Sequence, residues 1–155
     1  MKTETSETID LLNNLIETCK DGAHGFKVAA EDAKDAELQT IFRRYSEQRE
    51  QFSHELLQCV TSLGGEPEKS GSVAGSLHRG WINIKSAVAS NEPHAVLAEC
   101  ERGEDTAVKD FRDATEQVYE PSARELVSRQ FTAVKAAHDH VRDLRDGPRY
   151  AKKNR

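Results

Sequence analysis

The first of the chain's four prolines is Pro67, so no proline interrupts the long stretch before it. Proline ends a helix from within but is accepted in its first turn, which makes Pro67, Pro93, Pro121 and Pro148 natural boundaries. Between these marks, apolar side chains recur at alternating steps of three and four. The first segment, about 5–34, carries Ile9, Leu12, Ile16, Cys19, Ala23, Phe26, Ala30 and Ala33. The second, about 36–63, carries Leu38, Phe42, Tyr45, Arg49, Phe52, Leu56, Cys59 and Leu63, and stops at Gly64 and Gly65. This spacing puts each set on one face of an amphipathic helix, and such a face must be buried against other helices.

The stretch "GGEPEKSGS" reads as a loop, followed by a shorter helix with Leu77, Trp81, Ile84 and Val88 on one side, crossing and covering the bundle. A third long helix starts near Pro93 and shows Leu97, Cys100, Glu104, Ala107 or Val108, Phe111 and Val118. A fourth, about 121–145, shows Val127, Phe131, Val134, His138, Val141 and Leu144, and ends at Gly147 and Pro148. The expected architecture is all-α: a four-helix bundle forming a single domain over residues 1–146. A flexible basic tail, 147–155, follows it.

Composition narrows the function classes. At 155 residues one core is large enough to need no staples, and 22 Lys and Arg against 27 Asp and Glu give a net charge of -5. That balance argues against a nucleic-acid surface. No apolar run is long enough to span a membrane, and "MKTETSETID" lacks the apolar core of a secretory signal, so a cytoplasmic protein is expected. Cys19, Cys59 and Cys100 are far apart, lack CxxC spacing and fall on apolar stripes, where a thiol serves as a small hydrophobe.

Three of the long helices carry one ionisable side chain on the inward stripe: Arg49, Glu104 and His138. Arg49 lies about 13 residues into its helix and Glu104 about 11 into its own, a difference of about 3 Å at 1.5 Å per residue. The antiparallel fourth helix brings His138 and Lys135 close to that level, and the first offers Gly22, Ala23 and Gly25 there, which leaves room for large polar groups. A buried carboxylate needs a partner, and a guanidinium that stays protonated supplies two hydrogen bonds. The expectation is a polar core network of Arg49, Glu104, His138 and Lys135.

A dinuclear metal site in a bundle needs a Glu from each of two helices and Glu-x-x-His from each of the other two. The nearest matches are Lys135-x-x-His138, with a cation in the carboxylate's place, and Gln51-x-x-His54, with His54 beyond the stripe. Glu17 and Asp21 lie off the stripe of the first helix. His138 and His140 in "HDH" point about 200° apart and cannot chelate one ion. Phosphate-cradling and nucleophile-elbow motifs are absent.

The motifs "AHGFKVAAEDA", "LGGEP", "GSLHRGW", "ECERGED" and "KAAHDHVRDLRD", in this order, resemble a bacterial family of ferritin-like four-helix-bundle proteins catalogued as a domain of unknown function. The likeness covers about residues 8–146. It implies an up-down bundle with a long connection between the second and third long helices, and no established reaction. Ferritin relatives bind iron, but Arg49, Phe52 and Lys135 stand where ligands would be expected, leaving only Glu104 and His138. The leading expectation is therefore a non-enzymatic bundle without a cofactor, self-associating or binding a protein partner. The alternatives are an iron-binding oxidoreductase or storage protein, and a binder of small anions using Arg49 or Lys135 beside Gly22 and Ala23.

Overall fold

A computed structural model describes residues 3–67 and 80–152. Helices α1 (Glu4–Asp32) and α2 (Ala36–Ser62) form one long hairpin, and α4 (Pro93–Gln117) and α5 (Pro121–Asp146) form another, with the short α3 (Ile84–Ala89) before α4. The hairpins pack chiefly through α1 on α4, giving a four-helix bundle in which α3 lies across α1 and α4.

Local chemistry sets the boundaries. The Thr3 hydroxyl accepts from Ser6 N–H at 3.0 Å, Asp35 accepts from Leu38 N–H at 3.0 Å, and Glu120 accepts from Ala123 N–H at 2.7 Å. Each satisfies a backbone donor that a helix start leaves open. Pro93 and Pro121 occupy first-turn positions, as their missing N–H allows. At the end of α2, Gly64 takes a φ of 83° and Gly65 N–H returns to the Val60 carbonyl at 3.0 Å, a glycine-dependent helix stop.

The core falls into two apolar clusters along the bundle axis. One gathers Phe26, Phe42, Trp81, Ile84, Leu97 and Val141. The other gathers Leu12, Leu15, Leu56, Phe111, Val127 and Val134. On every long helix the change from one cluster to the other falls near the middle, at Gly22 and Ala23 on α1, Arg49 on α2, Gly103 and Glu104 on α4, and Ala137 on α5.

Two expectations are corrected here. The short helix starts at Ile84, so Trp81 sits in the turn before it, while Leu77 lies outside the described residues. The reason is Gly80, whose φ of 89° brings the backbone against α4: a Cβ there would lie 2.9 Å from the Arg102 carbonyl oxygen. Trp81 can then drop into a notch between Gly25 and Gly103, where a Cβ would come within 2.2 Å and 2.1 Å of the indole. The expected tail also differs, since Pro148–Tyr150 form a 3-10 helix and Tyr150 is 5% exposed. Its hydroxyl donates to Asp35 Oδ1 at 3.1 Å, His94 Nδ1 lies 3.2 Å from its carbonyl oxygen, and Arg149 pairs with Glu37. An aromatic ring with a buried anchor and a paired arginine docks this part of the tail onto the bundle end.

The glycine notch yields a direct prediction. Gly103→Ala must displace the only tryptophan of the chain, at an overpacking cost of about 1–3 kcal/mol. Urea unfolding should show that loss and the native fluorescence should shift to the red; an unchanged spectrum and midpoint would refute the tight seat.

Candidate functional site: a buried arginine–glutamate pair

Arg49 belongs to the inward stripe of α2 and Glu104 to that of α4, and they are 1% and 0% exposed. Arg49 Nη1 donates to Glu104 Oε1 at 2.5 Å and Nη2 to Oε2 at 2.6 Å, a fork-to-fork pair. The guanidinium carbon lies 5.7 Å from the Phe26 ring centroid, so an aromatic face from α1 covers the cation. Gly22 completes the seat, since a Cβ there would stand 3.3 Å from Nη1 and 3.5 Å from Cγ of Arg49. Outside the pair, Arg49 Nε donates to Gln48 Oε1 at 3.2 Å.

The electrostatics favour a locked pair over a reactive one. Burial works against the charged guanidinium, but the charge and hydrogen bonds of Glu104 outweigh it and hold the Arg49 pKa above its ordinary value. Nearby, burial pushes the Cys19 thiol up to about 12, with Arg49 opposing and Glu104 adding to the rise. Cys100, fully buried on α4, is likewise pushed well above its ordinary value, first by burial and then by Glu104. Both thiols stay protonated at neutral pH, which removes them as nucleophiles there.

The four residues expected to form one network divide into two groups. His138 and Lys135 are not at the pair. His138, 15% exposed, places Nε2 2.7 Å from Asp105 Oδ1 and Nδ1 3.0 Å from Asp139 Oδ1, with Glu101 Oε2 at 4.0 Å. Lys135, 47% exposed, reaches Asp139 Oδ2 at 3.0 Å. The cause is the register of α5: its buried face runs through Val127, Gln130, Val134, Ala137 and Val141, so His138 falls one position to the flank. That flank faces α4, where Glu101 pairs with Arg145 as well. Glu101 and Asp105 thus join the two helices of the hairpin. His140, on the opposite side of α5, shares a 2.5 Å hydrogen bond with the Tyr45 hydroxyl of α2. The two histidines of "HDH" meet different helices, as their angular separation requires.

Sequence reading missed Gln130. Fully buried, it donates from Nε2 to the Phe52 carbonyl at 3.2 Å and to Glu55 Oε1 at 3.0 Å, tying α5 to α2. Phe131, expected inward, is half-buried with the Arg112 guanidinium over its ring. The spacing Val127, Gln130, Val134 was the available signal, but a polar residue hid it.

The donor set does not fit a dinuclear metal centre. Both oxygens of Glu104 are engaged by Arg49, whose fixed positive charge opposes a cation at that position. His54 and Gln51 are exposed. Among the described residues, no three His, Cys, Asp or Glu side chains are arranged to hold a metal ion.

Similarity to known proteins agrees with the architecture. A family model described as Domain of unknown function (DUF2383) matches residues 7–117, and the chain belongs to that family. No curated protein sequence matches the chain. Among solved structures, a Dps1 mutant from Mycobacterium smegmatis superposes with a TM-score of 0.73 at 14% sequence identity, covering 94% of this chain and 99% of that one. The fold is thus a ferritin-like four-helix bundle.

Two predictions follow from this geometry. Glu104→Gln strands a buried guanidinium and should destabilise the protein by about 3–5 kcal/mol, whereas the apolar double variant Arg49→Met with Glu104→Leu should recover most of that loss. Urea titrations at neutral pH test both; a Gln variant within about 0.5 kcal/mol of the parent would show that the pair is not desolvated. For His138, burial lowers the pKa but the hydrogen bonds it donates to Asp139 and Asp105 and the charges of Asp105 and Glu101 prevail, so the net shift is upward. The stabilisation is therefore complete below the ordinary histidine value of about 6.5 and is lost as pH rises through the folded value. Stability measured against pH should fall more steeply on the alkaline side in the parent than in His138→Gln, and parallel curves would exclude the linkage.

Proposed function

We propose that this DUF2383 member is a non-enzymatic, ferritin-like bundle that acts by association, through self-assembly or a protein partner, with Arg49 and Glu104 in place of a metal centre. The observation that carries the reading is the bidentate pair, buried on both sides at the waist of the bundle. A carboxylate saturated by arginine offers no open coordination position, and an arginine saturated by carboxylate offers no free fork to an anionic ligand. What supports action through the surface is the placement of Ile82 and Tyr119, the large apolar side chains that stand in solvent among the described residues. No helix among the described residues is long and apolar enough to cross a membrane.

The iron-binding alternative has the likeness of fold behind it and lacks the ligands. Elemental analysis of protein purified without chelators, then loaded with ferrous iron and desalted, separates the two. We expect below about one tenth of a metal equivalent per chain. Retention of one or two irons per chain, lost in Glu104→Gln, would overturn the proposal. Light scattering tests the associating role: a species larger than one chain, alone or with a captured partner, is expected, and Ile82→Ser or Tyr119→Ser should weaken it. A strict monomer without a partner would reject that role.

A further inference from the structure

Both ring nitrogens of His138 meet carboxylate oxygens, Nε2 at 2.7 Å from Asp105 Oδ1 on α4 and Nδ1 at 3.0 Å from Asp139 Oδ1 on α5. An ionised carboxylate only accepts, so each bond needs an N–H, and a neutral imidazole has one where the cation has two. The geometry is therefore that of the imidazolium. Burial opposes the ring's charge, but the bonds to Asp139 and Asp105 outweigh it and hold the pKa above the ordinary histidine value. When the proton leaves, one nitrogen is left with a lone pair against a carboxylate oxygen, and that contact turns repulsive.

The surroundings decide which contact is lost. The charged groups around the ring are Glu101 and Asp105 from α4, and Lys135, Asp139, Arg142 and Arg145 from α5. Asp139, 34% exposed, is held in place by Lys135 Nζ at 3.0 Å and Arg142 Nη1 at 3.4 Å. Asp105, 63% exposed, has His138 as its partner among the described residues and is free to rotate into water. Glu101 Oε2 lies 4.0 Å from Nε2, beyond hydrogen-bond reach, and Arg145 balances its charge, so it does not hold the Nε2 proton. On the far side of α5, His140 Nδ1 lies 2.5 Å from the Tyr45 hydroxyl of α2. A phenol both donates and accepts, so that bridge forms with either protonation state of His140.

We propose that His138 is a proton-operated latch between α4 and α5: the imidazolium joins Asp139 to Asp105 across the seam, and the neutral ring keeps its one N–H on Asp139 and releases Asp105. The latch is closed below the ordinary histidine value of about 6.5 and opens as pH rises through the folded value. Arg145 stays charged and keeps its pair with Glu101 in both states, so the α4–α5 hairpin remains assembled. What changes is the seam's surface, which loses one positive charge and presents a free carboxylate. α5 keeps its tie to α2 through Tyr45 while its tie to Asp105 depends on a proton.

NMR of the full chain with isotopically labelled histidine, titrated from about pH 5 to about pH 9, tests this directly. Long-range proton–nitrogen spectra show which ring nitrogen carries the proton, and cross-peaks from the ring to the Asp105 β-protons report the contact across the seam. Expected are two protonated nitrogens and the Asp105 contact at the acid end, then a proton on Nδ1 alone and loss of that contact at the alkaline end. A proton on Nε2 there, a persistent Asp105 contact, or a ring still doubly protonated would overturn the latch. Asp105→Asn, at an exposed position that leaves the fold intact, should lower the His138 titration midpoint, whereas Tyr45→Phe should leave it in place. An unmoved midpoint in Asp105→Asn, or an equal displacement in Tyr45→Phe, would also overturn it.

Discussion

A guanidinium and a carboxylate locked together at the waist of the bundle decide what each helix places at that height. Two ions of this size cannot be removed from water unless they neutralise each other and are covered on all sides. α1 contributes Gly22, because a methyl group would crowd the guanidinium, and one turn away contributes Phe26, whose ring covers the cation. The apolar clusters above and below can then close without meeting an unpaired charge. Sliding α2 against α4 by a turn would separate the partners and leave both buried. The pair thus specifies register, a role that buried polar groups serve better than they serve net stability.

The remaining polar groups act at the seams and ends. Glu101, Asp105, His138 and Arg145 join α4 to α5 where the helices already pack closely. Between α2 and α5 the bridges are longer side chains: Tyr45 to His140, Gln130 to the Phe52 carbonyl, and Arg129 to Glu55 at 3.7 Å. At the end of the bundle, Tyr150 and the cap of α2 share Asp35 Oδ1, so the C-terminal segment is tied to the turn between α1 and α2. Trp81 works in the opposite sense to the central pair. It needs small neighbours, and two glycines from different helices provide them.

The stripes of α1 and α2 were legible because their apolar side chains recur at threes and fours and are buried or half-buried, even though Thr8, Asn13, Thr18, Asp21 and Ser46 are buried beside them. Arg49 and Glu104 stood out against that regularity, and counting residues from the helix starts placed them at one height. α5 was misjudged by one position. Its buried face contains Gln130 and Ala137, one polar and one small, while Phe131 and His138 beside them look more like core residues. A rotation of about 100° then moved His138 from the centre to the α4 seam, and Lys135 with it into solvent. Trp81 was expected to cover the bundle, but its seat ahead of the short helix and the docking of Tyr150 escaped for another reason. Their burial depends on a positive φ at Gly80 and on a distant carboxylate at Asp35, and neither leaves a periodic trace.

Arginine as the central cation also differs from a metal ion in what it permits. A metal exchanges, changes oxidation state and leaves coordination positions open, whereas a guanidinium is covalently held, has no accessible redox couple and stays protonated throughout the physiological range. Glu104 holds the Arg49 pKa above its ordinary value, so the guanidinium keeps its charge throughout the physiological range. The ionisable groups near the physiological range lie instead at the periphery, in the His138 cluster. With a permanently charged guanidinium at the centre and titratable groups at the helix seams, a response to pH begins at the seams and not at the waist.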